Sequence, residues 1–230
     1  MEGIAARVRE VRDRIAAAAA RAGRDPARIT LVAVTKTFPP EVVRAAVAAG
    51  VTDIGENRVQ EAVPKIEAVG RGVHWHLVGH LQTNKAKLAL QHFDWIHSLD
   101  SLRLAEALQK AAAVAGREAI PVLVEVNLGG EVSKAGVPEP DLLPLLRGLA
   151  PLSRVRVEGL MAIPPFQEDP GAVRPHFARL RALAEKARTE GLPHLRMDQL
   201  SMGMSHDFEV AVEEGATMVR IGTAIFGPRP

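Results

Sequence analysis

Residues Thr30 to Gly55 read TLVAVTKTFPPEVVRAAVAAGVTDIG. A β-branched apolar run, Thr30–Thr35, is followed by a lysine and a Pro-Pro turn. An Ala/Val-rich amphipathic stretch comes next over Pro40–Ala49, then a glycine and a second short run at Thr52–Gly55. A strand buried on both faces needs a continuous apolar run, and two parallel strands need a long crossover between them, usually a helix. The stretch therefore reads as strand, helix, strand. The same punctuation recurs down the chain. Further strand-like runs fall at Val73–Val78, Asp94–His97, Ala119–Asn127, Val155–Ala162, Leu195–Ser201 and Thr217–Ile221. Helical patterns separate them at Arg58–Val69, Asn84–Gln91, Ser101–Ala115, Glu139–Leu149, Gly171–Glu190 and His206–Glu214.

Eight such runs in 230 residues predict a single-domain α/β fold, a closed (β/α)8 TIM barrel spanning residues 1–230. The last unit is cut short, since only Ile225–Pro230 follows strand eight. An additional N-terminal helix is expected from Ile4, Val8, Val11 and Ile15, spaced four, three and four apart, with Gly23 and Asp25-Pro26 ending it. It should lie across the outside or bottom of the barrel, with Arg7, Arg9, Arg12 and Arg14 on a solvated face. A Rossmann-like open sheet is the alternative. The lack of G-x-G-x-x-G after the first strand, and of a P-loop, counts against it.

Composition narrows the chemistry. There is no cysteine, which removes disulfides, thiolate nucleophiles and Cys-ligated metals. There is no tyrosine to act as an acid or base. A formal charge of +2 is no nucleic-acid footprint. The longest apolar stretches, such as Ile15–Ala20 and Ala119–Val124, are far shorter than a membrane span, and the N-terminus lacks the apolar core of a signal peptide. The expectation is a cytoplasmic protein without membrane or nucleic-acid partners. With no sustained heptad pattern, a monomer is expected.

In a barrel of this kind the chemistry sits where the strands end. The run ends carry Lys36, Glu56-Asn57, His80 and Gln82, His97-Ser98, Asn127, Met161, Ser201, and Arg220 with Gly222-Thr223. Lys36 follows LVAVT. Partial desolvation there would lower its pKa and yield an amine able to form a Schiff base; the alternative is a lysine snorkelling to solvent. Glycines and hydroxyls after strands seven and eight (Ser201, Gly203, Gly222, Thr223) match the recurrent phosphate site of the fold, although tight turns alone would also require glycine. A strand-one lysine with such a cup suggests a phosphorylated aldehyde, with pyridoxal 5′-phosphate (PLP) the obvious candidate. Arg220 would then face the pyridine nitrogen as a donor that cannot accept a proton, unless it serves an ordinary salt bridge. His74 and His76 share a strand face, but no further ligand is placed by spacing, and a polar network is preferred to a metal site. His97 could line the cavity. His92, His176 and His194 read as surface residues. SKAG at Ser133–Gly136 lacks Walker spacing and reads as a loop.

The chain resembles the pyridoxal phosphate homeostasis protein family, single-domain relatives of the alanine racemase N-terminal barrel. The resemblance rests on LVAVTKTFPPE (Leu31–Glu41), IGENRVQEA (Ile54–Ala62), WHLVGHLQTNK (Trp75–Lys85), GLMAI (Gly159–Ile163) and LSMGMSHDFEVAVEEGATMVRIGTAIFG (Leu200–Gly227). It implies PLP on Lys36, its phosphate held by Ser201, Gly222 and Thr223, its pyridine nitrogen facing Arg220, and a ring pocket lined by Asn57, His80 and Met161. It also implies a carrier that takes PLP up reversibly and delivers it, with apo forms of PLP-dependent enzymes as acceptors, and no catalytic residues of its own. The related racemases use a tyrosine from a second, β-rich domain, and this chain offers neither. The alternatives are a PLP-dependent enzyme of unassigned amino-acid substrate, a Schiff-base aldolase with an acid/base partner near Lys36, or a passive interaction scaffold.

Overall fold

A computed structural model describes residues 2–129 and 135–228. Eight strands form the barrel: β1 Thr30–Val34, β2 Asp53–Glu56, β3 His74–Leu77, β4 Trp95–Leu99, β5 Ile120–Asn127, β6 Val155–Met161, β7 Leu195–Ser201 and β8 Met218–Ile221. All neighbours are parallel. The order runs β4-β3-β2-β1-β8-β7-β6-β5, and pairing of β4 with β5 closes the cylinder. A two-residue strand, Val137–Pro138, adds to the end of β5. The barrel expected from the sequence is therefore the fold, and the open-sheet alternative is excluded by the closure.

Alternation along each strand sends one set of side chains outward to the helices and the other into the lumen. The outward set builds the main core with α2 (Pro40–Ala48), α3 (Val59–Val69), α4 (Ala86–His92), α5 (Leu102–Val114), α6 (Leu142–Leu149), α7 (Arg174–Thr189) and α8 (Phe208–Glu213). Local signals start these helices. Ser101 Oγ accepts from the Leu104 N–H at the head of α5, and prolines occupy the first turns of α2 and α7. Inside, Val32, Val34, Val78, Leu123, Met161 and Met218 form a separate apolar cluster beside Trp95.

The N-terminal helix α1 (Glu2–Arg21) packs on the outside, against α2, α8 and the four-residue α9 (Thr223–Phe226). Because α9 is so short, α1 covers the wall that an eighth full helix would cover. Its buried stripe is Ile4, Val8, Val11, Ile15, Ala18 and Ala19. The expectation of a solvated arginine face holds for Arg9 and Arg12, which are exposed, and is corrected for Arg7 and Arg14, which are half-buried. Arg7 donates to the Ile225 carbonyl and Arg12 to that of Gly50 at 2.6 Å. Arg14 pairs with Glu209 at 2.9 Å while its guanidinium lies 4.7 Å from the Phe208 ring centre. Through these contacts the arginines tie α1 to the end of α2, to α8 and to α9. Among the described residues no helix is long and apolar enough to cross a membrane.

Where β6 meets β7 the backbones approach closely. A Cβ on Gly159 would stand 1.8 Å from the Gln199 carbonyl oxygen. Gly159→Ala must therefore force the two strands apart, and chemical denaturation should show a loss of about 3 kcal/mol or more.

Candidate functional site

A cavity of about 560 Å³ opens at the C-terminal ends of the strands. Its wall takes Val34, Lys36 and Phe38 from β1 and the following turn, Asn57 after β2, and Val78, Gly79 and His80 after β3. The other side is built from Glu125, Val126 and Asn127 of β5, Ile163 after β6, Met204, Ser205 and His206 after β7, and Arg220, Gly222 and Thr223 from β8 onward. Six of the eight residues expected to contact PLP thus meet in one place: Lys36, Asn57, His80, Arg220, Gly222 and Thr223.

Lys36 is half-buried. Its backbone is fixed from both sides. The carbonyl of the preceding Thr35 accepts from Lys65 Nζ at 2.7 Å and from the Phe38 N–H at 3.1 Å. The following Thr37 takes φ 70°, a conformation that a β-branched residue adopts only when its surroundings enforce it. Behind this turn lies a buried cluster. Glu56 Oε1 accepts from Thr35 Oγ1 at 2.5 Å and from Lys65 Nζ at 2.7 Å, with Glu56 wholly inaccessible. Burial raises the Glu56 pKa, although the hydrogen bonds from Lys65 and Thr35 oppose it. Lys65 was not singled out in the sequence. It lies mid-helix, and only its contact across to β1 and β2 reveals what it does.

The loop after β7 is held by glycine geometry and by Asp207. Gly203 has φ +90°, and a Cβ on it would meet Ala211 Cβ at 2.5 Å. Asp207 Oδ1 accepts from the Met204 N–H at 2.6 Å. This places Ser205, whose hydroxyl oxygen accepts from the backbone N–H groups of Gly222 and Ala224, both at 3.2 Å. Two backbone donors thus converge on one oxygen at the cavity wall. Ser205 belongs to the same SMGMS segment as Ser201. Ser201 was expected because it ends the seventh run, whereas the residues past the strand end follow no periodicity that would have marked Ser205.

Two expected residues are not on the wall. Met161 is fully buried in the lumen cluster. Ser201 is also fully buried, and its Oγ accepts from Arg220 Nη1 at 2.6 Å and lies 2.9 Å from His97 Nδ1. His97 sits in the lumen rather than on the wall, and with His76 it forms the polar network expected for the histidines. His80 is exposed at the rim, with Nδ1 3.3 Å from Asp100 Oδ2. His92 and His176 are half-buried and His194 is exposed. In the SKAG segment, Ser133 and Lys134 lie outside the described residues, while Ala135 reaches the cavity.

Arg220 and Glu125 dominate the electrostatics. Arg220 is 4% exposed; burial lowers its pKa to about 10, which still leaves it charged at neutral pH, while Glu125 and Asp207 act to raise it. Glu125 is 7% exposed. Burial pushes its pKa up to about 7, with Asp100 adding to the rise and Arg220 opposing it. Glu125 escaped the sequence reading because it lies within β5, between Val124 and Val126, where a carboxylate looked incidental.

The family of alanine racemase N-terminal domains matches residues 7–230. The pyridoxal phosphate homeostasis protein of Aquifex aeolicus is 47% identical over 227 residues, covering 97% of both chains. That of Escherichia coli (strain K12) is 44% identical over 236 residues, covering 100% of this chain and 98% of that one. The chain belongs to the pyridoxal phosphate homeostasis protein family. A solved structure of its relative PipY from Synechococcus elongatus PCC7942, with PLP bound, is 40% identical, with a TM-score of 0.86 over 97% of this chain and 100% of that one. Alanine racemase from Corynebacterium glutamicum, at 18% identity and a TM-score of 0.77, shares the barrel alone, and this chain covers 61% of it. The curated relatives carry the name of a homeostasis protein rather than of an enzyme.

Two measurements probe the site's physics. Lys65→Met leaves Glu56 buried without its cation and should cost about 3 kcal/mol, much of it recovered in a Lys65→Met/Glu56→Met double variant. For Glu125 the folded pKa lies above the ordinary 4.5, so the folded state holds the proton more tightly. Its contribution is most favourable at low pH and is lost as pH rises from about 4.5 through 7. Denaturation at pH 5 and pH 8 should therefore show Glu125→Gln becoming more favourable at the higher pH, by on the order of 2 kcal/mol.

Proposed function

We propose that this chain binds pyridoxal 5′-phosphate reversibly through Lys36, in the cytoplasm and as a monomer, and holds and hands on the cofactor without turning over a substrate. One observation carries the reading. A half-buried lysine on a rigid strand end shares a cavity with two backbone N–H groups converging on one oxygen, and with a buried guanidinium.

The donor set suits the cofactor. The N–H groups of Gly222 and Ala224, with the hydroxyls of Thr223 and Ser205, would hold the phosphate, a dianion that gains most from backbone donors at close range. Arg220 would face the pyridine nitrogen. A guanidinium donates and does not accept, so it leaves that nitrogen unprotonated. Asn57 and His80 would flank the ring at the rim. Met161 lies in the lumen cluster and supports from there, and Ser201 acts through Arg220 rather than on the phosphate. PLP supplies an aldehyde that condenses with an amine. The protein's part is to present Lys36 Nζ in a partly dry setting and to leave the mouth open for an acceptor, for which apo forms of PLP-dependent enzymes are the natural class. The names of the relatives and PLP bound to PipY support the same assignment.

Glu125 favours a second reading. A cavity carboxyl with a pKa near 7 is poised as a general acid or base, which is what a PLP-dependent enzyme or a Schiff-base aldolase would need beside Lys36.

Borohydride reduction of protein incubated with PLP should place the adduct on the Lys36 peptide, and Lys36→Ala should lose it; an adduct on another lysine would reject the assignment. Across a panel of amino acids we expect no racemisation or transamination approaching ~1 per second. Turnover at that rate, abolished in Glu125→Gln, would replace the carrier with the enzyme.

A further inference from the structure

The lumen of an eight-stranded α/β barrel is ordinarily packed with branched apolar side chains. Here a line of polar groups crosses it. At the cavity end, Arg220 Nη1 donates to Ser201 Oγ at 2.6 Å, and Nη2 donates to the Ala162 carbonyl at 2.9 Å. Ser201 Oγ lies 2.9 Å from His97 Nδ1, and His97 Nε2 lies 2.9 Å from His76 Nδ1. His76 Nε2 lies 2.9 Å from Asp53 Oδ1, and Thr52 Oγ1 donates to Oδ2 of the same carboxylate at 2.7 Å. Ser201, His97 and His76 are wholly inaccessible. Asp53 borders a separate cavity of about 490 Å³, beside Arg12 and Pro26. The line thus joins β8, β7, β4, β3 and β2, from the mouth to the start of β2.

Its two ends fix the direction of every proton. A guanidinium only donates, and a carboxylate only accepts. Burial acts to raise the Asp53 pKa, but the hydrogen bonds from His76 and Thr52 prevail and hold it below the usual value. His76 must then carry a proton on Nε2. A neutral His76 presents Nδ1 as an acceptor, so His97 donates from Nε2 and accepts at Nδ1. The single proton of Ser201 goes to His97, and its oxygen receives Arg220. Burial, with the charge of Arg220 beside it, drives the His97 pKa well down and keeps that ring neutral. A protonated His76 would reverse His97 and leave the Ser201 proton with no acceptor in the line.

We infer that Asp53, His76 and His97 are positioning residues for Arg220, acting through Ser201. The line orients the Ser201 hydroxyl inward and so anchors the guanidinium at the cavity. What Arg220 meets there rests on the cofactor reading above, but the line itself can be examined without cofactor.

The test is ¹H–¹⁵N NMR of histidine-labelled protein without PLP, comparing the unaltered chain with Asp53→Asn. Asp53 lies outside the PLP-contacting set, and the amide is close to isosteric. The unaltered protein should show His97 neutral at pH 7 with its proton on Nε2, and a proton on Nε2 of His76. An asparagine amide can donate or accept, so Asp53→Asn relaxes the constraint and should change the His97 tautomer ratio about tenfold, as a charge-assisted hydrogen bond gives way to a neutral one. In PLP-loaded protein the same variant should alter the pH profile of the visible absorbance band. A proton on His97 Nδ1 in the unaltered protein, or an unchanged His97 in Asp53→Asn, overturns the inference. Failure of the protein to take up PLP, with the tautomers as expected, would refute the cofactor reading and leave the line in place.

Discussion

A guanidinium enclosed in a barrel must find acceptors on all sides, and much of the interior is arranged around that requirement. Arg220 stands on β8 where a lumen of ordinary composition would hold a branched aliphatic residue. Its neighbours answer it individually: the Ser201 hydroxyl and the Ala162 carbonyl take its hydrogen bonds, while Glu125 and Asp207 supply negative charge. An isolated buried charge would cost several kcal/mol. Sharing it among two strand ends, a loop and a cavity carboxyl makes it tolerable and gives the cavity a fixed positive element.

The same logic of buried partners holds the amine side. Lys65 reaches from α3 to the carbonyl just before Lys36 and to the carboxylate of Glu56. The pair is dry and adds little net stability against an apolar substitute. Its consequence is geometric: the turn that presents Lys36 cannot drift, because both its carbonyl and its φ are set. One wall therefore carries an amine on a rigid stem and another a fixed cation, with backbone donors beside it. A small ligand bearing an aldehyde and a phosphate meets preorganised groups, which reduces the ordering cost of binding.

How much of this was readable in the linear chain varies with the kind of signal. The strands fall within a residue or two of the apolar runs. β5 is Ile120–Asn127 where Ala119–Asn127 was expected, and β7 coincides with Leu195–Ser201. Residues just past strand ends, such as Lys36 and Gly222, were legible because the fold makes those positions special. Lys65 and Glu125 were not, since each sits inside a regular element and gains its meaning from a partner on another strand. Ser205 was passed over for Ser201 because a loop conformation, set by Gly203 and Asp207, decides which hydroxyl reaches the surface of the cavity. Arg7 and Arg14 were read as solvated because nothing in the helix itself reveals the Ile225 carbonyl or the Glu209 carboxylate.

By itself the sequence determined the eight alternating units, their parallel pairing, the place of Lys36 at the end of the first strand and the glycine-rich ends of the last two strands. Periodicity and punctuation are local properties, and parallel pairing follows from them through the crossover requirement. Only the tertiary structure decided that Arg220, Ser201, His97, His76 and Asp53 form one continuous line, and that Glu125 is buried enough to titrate near 7. These depend on inter-strand register and on exclusion of water from the lumen, and both arise only when the barrel closes.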